Sequence, residues 1–295
     1  MPAVISLPSA NPSSKSLIYF ITGNPGLVKY YEPFLTLLSS LTHGSHAIYG
    51  RDLFGFSQED TTLYDLEEQI ECIYTDLRAQ IKAGGYENVI LMGHSVGTYI
   101  AVEIIARSLA RADLTIQGAI LITPTLTELG KSPRGKQLGR LMHWPVISNN
   151  AYIVAKGFLF TLPDVCIKWV LGTIMGFTPA AAEVTRNFLR SSQGVREALH
   201  LGVSEIHTIK EDVWADEVFQ VAEAGGVKRL FALYADEDYW VDDEVRQVLV
   251  KRRGEDMEWM VESVRHDFPT TEESTVKVAR IVSNWVEQIK GEESR

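Results

Sequence analysis

Cysteine is nearly missing: Cys72 and Cys166 are the only two in 295 residues. Widely separated and without zinc-type Cys/His spacing, they offer neither a disulfide framework nor a structural metal site, and they fit a reducing, intracellular setting. Positive charge is also in short supply, with 28 Lys and Arg against 38 Asp and Glu and a formal charge of -10. That sign opposes phosphate neutralisation, so nucleic acid is not an expected partner, and it opposes polybasic attachment to anionic lipid. The N-terminus lacks a basic stretch followed by an apolar one, so no secretory signal is expected. Long uninterrupted apolar runs are missing as well; none reaches the roughly 20 residues that a membrane-spanning helix needs.

What is present is globular. Hydrophobic residues make up 45% and charged residues 22%, enough to build a sizeable core. Short apolar runs predict strands over 17–22, 47–50, 89–92 and 116–122, and helical periodicity predicts helices over 30–41, 63–83 and 97–110. Near-continuous apolar strands alternating with helices indicate a parallel sheet covered on both faces. The alternation breaks after Pro124 and resumes with strands over 229–234 and 257–261 and a final helix over about 271–290. Thr270 and Glu273 stand in capping-box spacing before that helix, and Val278, Ile281, Val282, Trp285 and Ile289 form one apolar stripe along it. The expected organisation is one α/β domain in two parts, 1–123 and 228–295, interrupted by a helical cap or lid over 124–227.

The apolar run ending at Met92 leads into Gly93-His94-Ser95-Val96-Gly97, and a helical pattern starts at once. This is the Gly-x-Ser-x-Gly nucleophile elbow in its strand-to-helix setting, the mark of an α/β-hydrolase fold. Gly93 and Gly97 supply the tiny flanking positions that a sharp turn demands, and His94 belongs to the same elbow in a structural role. Ser95 is the expected nucleophile. The oxyanion is expected to meet the backbone N–H of Val96 and one from the loop Thr22-Gly23-Asn24-Pro25-Gly26, where Pro25 has none and Asn24 is the best donor.

In this fold the acid follows the serine, and the histidine follows the acid. The loop Ala235-Asp236-Glu237-Asp238 ends the strand at 229–234 and offers Asp238, with Asp236 as second candidate. His266 lies beyond the next strand and is the only histidine downstream of that loop. The expected chemistry has His266 taking the Ser95 proton and Asp238 orienting the imidazole; it requires no metal and no organic cofactor. The substrate is expected to be a hydrophobic acyl compound, with an acyl thioester as an alternative to an ester.

Between Trp144 and Phe177 the sequence is strongly apolar but interrupted by Lys156, Pro163-Asp164 and Lys168. Two short apolar helices with a turn at Pro163 fit this pattern. They form a cap over the site, and Phe158, Leu159, Phe160 and Trp169 are candidates for a face that dips into a lipid surface.

Several separated stretches resemble the lipid droplet-associated hydrolase family. They are Gly23-Asn24-Pro25-Gly26-Leu27-Val28 with Tyr31 and Phe34, the elbow, Pro124-Thr125 with Ser132-Pro133-Arg134-Gly135, Asp238-Tyr239-Trp240-Val241, and His266-Asp267-Phe268. The Gly-Asn-Pro-Gly turn is the most specific of them, and the family's Asp before Trp-Val falls on Asp238. Arg134 departs from the family's frequent Asn, and no role is carried over there. The resemblance implies residence at lipid droplets and the cytosolic face of the endoplasmic reticulum, and action on sterol esters or other neutral lipid esters. A droplet-binding protein with little turnover is the alternative from a different class.

Overall fold

The computed structural model describes residues 2–57, 59–142, 163–219 and 229–293 of the chain. The strands are β1 (Val4–Leu7), β2 (Ser16–Ile21), β3 (Ala47–Arg51), β4 (Asn88–His94), β5 (Ile116–Ile122), β6 (Arg229–Ala235) and β7 (Glu258–Glu262). They form one sheet in the order β1-β3-β2-β4-β5-β6-β7. Only β1 runs antiparallel to its neighbour; the other adjacent pairs are parallel, as the alternating pattern predicts.

The helices described are α1 (Glu32–Leu41), α2 (Leu66–Gly84), α3 (Val96–Arg111), α4 (Pro133–Met142), α5 (Asp164–Trp169), α6 (Pro179–Arg190), α7 (Ser192–Thr208), α8 (Asp243–Arg253) and α9 (Glu272–Glu293). Helices α4 to α7 fall between β5 and β6. Side chains alternate across a strand, so each central strand feeds two cores. Leu17, Tyr19, Ile21, Val89 and Leu91 face one side with Ile70, Ile73 and Leu77 of α2 and Ile100 and Ile104 of α3. Ile18, Phe20, Ile90 and Met92 face the other, with Phe34, Leu35 and Leu38 of α1 and Val278, Val282, Trp285 and Ile289 of α9. This is an α/β-hydrolase fold of three layers.

Local chemistry explains the helix ends. Asp65 and Glu68 close a reciprocal capping box at the start of α2, and Gly85 ends it at φ 61. The box expected at Thr270 and Glu273 is not formed. Phe268–Thr270 is a 3-10 turn, α9 starts at Glu272, and the Thr270 hydroxyl donates to the Asp267 carbonyl at 2.7 Å. Full burial of Phe268 holds that turn inward, so the helix begins too late for Thr270 to cap it. The edge strand β1 and helix α8 lack a readable sequence period: β1 buries only Ile5 fully, and α8 only Leu249 and Arg253.

Candidate active site

A parallel sheet delivers its loops to one edge. Ile21 of β2 sits opposite Gly93 of β4, His94 opposite Ile122 of β5, Ile122 opposite Leu233 of β6, and Ala235 opposite Glu262 of β7. The loops carrying Asn24, Ser95, Asp238 and His266 therefore leave the sheet on one level.

Ser95 occupies the turn between β4 and α3 at φ 53 and ψ -125, a sparsely populated conformation that costs about 1–3 kcal/mol for a residue with a side chain. The flanking glycines make that turn possible. A Cβ at Gly93 would lie 2.4 Å from the Gly97 carbonyl oxygen, and one at Gly97 would lie 2.4 Å from the Ile21 carbonyl oxygen. The Ser95 N–H donates to the Ile122 carbonyl at 3.0 Å, and the Thr98 hydroxyl donates to the Ser95 carbonyl at 2.6 Å. Ser95 as a residue is half-buried at the N-terminus of α3.

His266 Nε2 lies 2.9 Å from Ser95 Oγ, and His266 Nδ1 lies 2.8 Å from Asp238 Oδ2. A carboxylate only accepts, so Nδ1 carries the hydrogen and Nε2 turns its lone pair toward the serine hydroxyl. The other Asp238 oxygen accepts the Trp240 N–H at 2.8 Å, which fixes the carboxylate, and its side chain is only 3% exposed. Asp236, the second candidate, is exposed and accepts the Glu237 N–H at 2.9 Å.

A buried chain of hydrogen bonds runs behind this array. The Gly23 N–H donates to the Tyr31 hydroxyl at 3.0 Å, Tyr31 lies 2.7 Å from His94 Nδ1, and His94 Nε2 lies 2.7 Å from the His266 carbonyl oxygen. A carbonyl only accepts, so Nε2 carries the His94 hydrogen. Burial, and next the neighbouring His266, press His94 down to about 3, so the ring is neutral and Nδ1 accepts from Tyr31. Burial raises the Tyr31 hydroxyl well above its ordinary range. A Cβ at Gly23 would lie 2.7 Å from His94 Nδ1, so the loop and the elbow touch directly.

The Asn24 side chain turns away from the core. Its Nδ2 donates to the Ala198 carbonyl and to Glu205 Oε1, both at 2.9 Å and both on α7. Among the described residues, no protein acceptor engages the backbone N–H of Asn24 or of Val96. Tyr31 signalled itself only as one aromatic of a Tyr/Phe-rich stretch. Glu205 carried no signal, since it reads as one more polar residue of a helix.

Phe158, Leu159 and Phe160 lie outside the described residues. Trp169 lies within them and is 58% exposed, beside Val165 at 78% and Ile174 at 66%. The opposite side of α5 and of the π turn Val170–Ile174 buries Ile167 and Leu171 against Ala182 of α6. Asp164 pairs with Arg186 and Arg190, each at 2.7 Å, and Lys168 pairs with Glu183 at 2.8 Å. No helix among the described residues is long and apolar enough to cross a membrane.

Sheet order, elbow and loop placement are those of the α/β-hydrolase fold. Solved structures of low sequence identity share the fold. A carboxylesterase of the thaumarchaeon Nitrososphaera gargenis superposes with TM-score 0.63 at 16% identity, covering 99% of this chain and 96% of that one. A haloalkane dehalogenase from Bradyrhizobium elkani gives 0.65 at 14% identity, covering 98% and 96%. The family described as lipid-droplet associated hydrolase matches residues 14–269, and the chain belongs to that family. The lipid droplet-associated hydrolase of Mus musculus is 25% identical over 92% of this chain and 85% of its own length. That of Rattus norvegicus is 28% identical over 67% of this chain, and the match spans 64% of the rat protein, under two thirds of its length.

Proposed function

We propose that this protein is a serine esterase that cleaves hydrophobic carboxylic esters, of the neutral-lipid or sterol-ester class, at a lipid-droplet surface. The observation that carries the reading is the aligned contact of His266 Nε2 with Ser95 Oγ and of His266 Nδ1 with Asp238. In this mechanism Ser95 Oγ attacks the acyl carbon while His266 Nε2 takes its proton, and Asp238 stabilises the imidazolium that forms. The carbonyl oxygen gains its charge between the N–H groups of Val96 and Asn24, at the positive end of α3. Collapse breaks the ester bond, His266 returns the proton to the departing alcohol, and the acyl group remains on Ser95. A water molecule, deprotonated by His266, then releases the acid. None of these steps uses a metal or an organic cofactor.

The helices between β5 and β6 act as a cap in this reading. The outward apolar residues of the 165–174 segment, together with the names of the relatives, support contact with lipid at droplets; a place at the cytosolic face of the endoplasmic reticulum rests on the family resemblance alone. The same exposed residues favour one second reading, a droplet-binding protein with little turnover. A panel of esters graded by chain length, with and without a lipid interface, separates the two. Turnover that Ser95→Ala abolishes supports the esterase; rates equal to that variant's on every substrate contradict it.

A further inference from the structure

We propose that Glu205 is a positioning residue: from the cap helix α7 it holds the Asn24 carboxamide and, through it, the peptide N–H that meets the oxyanion. The inference rests on the esterase reading and names what assembles that site. Both hydrogens of Asn24 Nδ2 are used on α7, one by the Ala198 carbonyl and one by Glu205 Oε1, each at 2.9 Å. Ala198, Gly202 and Glu205 share one face of the helix, and a Cβ at Gly202 would lie 3.6 Å from Nδ2, in ordinary contact.

The peptide in question is thus gripped from two sides. Toward the core, the Gly23 N–H is held by Tyr31; toward the cap, the Asn24 side chain is held by α7. Pro25 follows and brings no N–H, so the Asn24 N–H is the donor that this grip leaves free to point at a substrate oxygen. With its carboxamide committed to α7, Asn24 acts on substrate through its backbone alone.

Glu205 is a costly choice for a residue that merely fills space. It is 6% exposed, no cation pairs with it among the described residues, and burial raises its carboxyl to about 7. A buried acid without a counter-charge gives up stability that an apolar side chain of similar volume would keep. Positions that sacrifice stability in this way concentrate where function requires a particular geometry.

The test compares Glu205→Leu, Glu205→Gln, Asn24→Leu and the double variant Glu205→Leu/Asn24→Leu with the full-length protein and with Ser95→Ala. Each is reacted with a fluorophosphonate, whose phosphoryl oxygen occupies the oxyanion site, and each is melted. Glu205→Leu is expected to slow Ser95 labelling about tenfold or more, less than deletion of a whole oxyanion donor, which costs about 10²–10³-fold. Its melting temperature is expected to stay level or fall slightly, because one Asn24 amide hydrogen loses its partner, whereas the double variant, which removes both partners, should melt level with the parent or above it. Glu205→Gln, which keeps the acceptor oxygen, should label within about threefold of the parent. Asn24→Leu should be as slow as Glu205→Leu, and the double variant no slower than either, since both cut one linkage. Labelling of Glu205→Leu at the parental rate overturns the proposal; so does slow labelling that Glu205→Gln fails to restore and that tracks a fallen melting temperature. Failure of the parent itself to label above Ser95→Ala is a different result, and it removes the esterase reading together with everything built on it.

Discussion

Tyr31 and His94 meet at 2.7 Å inside the core, and the same phenol oxygen accepts the Gly23 N–H at 3.0 Å. One side chain of a short 3-10 turn thereby joins the loop before α1 to the nucleophile elbow. His94 extends the connection by donating to the carbonyl of His266 at 2.7 Å. Three loops that carry the proposed chemistry share one buried hydrogen-bond chain, with Phe268 packed edge-on against the His94 ring at 5.2 Å. Tyr31→Phe keeps the ring and strips both bonds, leaving a buried N–H and a buried ring nitrogen unpaired. Each orphaned group costs about 1–3 kcal/mol, so a loss of about 2–6 kcal/mol is expected in urea unfolding, with kcat falling more than KM rises.

At Gly97 the expected effect is larger and geometric. A Cβ there meets backbone oxygens of Ile21 at 2.4 Å and Thr22 at 2.7 Å, neither of which can rotate aside. Gly97→Ala should lose about 3 kcal/mol or more, as overpacking against rigid backbone does, and should label poorly with active-site probes. Gly291, in α9 with nothing among the described residues within 4 Å of its Cβ position, is the control: Gly291→Ala should be neutral or slightly stabilising.

The two buried acids of α7 set a pH dependence. Burial raises both Glu197 and Glu205 from an ordinary glutamate's 4.5 to about 7. A carboxyl whose folded pKa exceeds its unfolded one adds stability that is complete below the unfolded value and is lost as pH rises through the folded value. The folded state holds the extra proton between about pH 4.5 and 7, so the native form weakens across that window. Glu205→Gln removes one such group. Its melting temperature minus that of the parent should therefore increase from pH 5 to pH 8, as measured by calorimetry in matched buffers.

Outward apolar residues of the cap carry a separable prediction. Trp169→Glu, alone or with Val165→Glu and Ile174→Glu, changes side chains that are mostly exposed and that take no part in the hydrogen bonds joining Ser95, His266 and Asp238. Binding to phosphatidylcholine-coated triolein emulsions should fall several-fold, while hydrolysis of a short water-soluble ester stays within about twofold. Equal emulsion binding by the triple variant contradicts a lipid role for this face.

Much of the architecture was legible because burial and period coincide. The fifth strand, Ile116–Ile122, is buried at every position, and of the apolar stripe that its helical period singles out α9 buries Val278, Val282, Trp285 and Ile289 and leaves Ile281 half-buried. β1 is not legible in the sequence, because a four-residue edge strand with one buried side chain has no period. Ser95, Asp238 and His266 could be proposed because chain order and strand ends constrain where such groups stand in a parallel sheet. The sequence ranks Asp238 ahead of Asp236 by strand position and by the family's Asp before Trp-Val; in three dimensions one faces His266 and the other faces solvent. Glu205 had no signature at all: its partner Asn24 is 181 positions away in sequence, and a single sequence does not encode that contact in any local pattern.

The most direct test of the proposed chemistry is intact-mass and peptide mapping after reaction with a fluorophosphonate. One adduct is expected, on Ser95. It should be absent in Ser95→Ala and slowed by roughly 10³–10⁴-fold in Asp238→Asn, where the imidazole loses the partner that fixes its tautomer. An unmodified Ser95, under conditions in which a control serine hydrolase reacts to completion, contradicts the account.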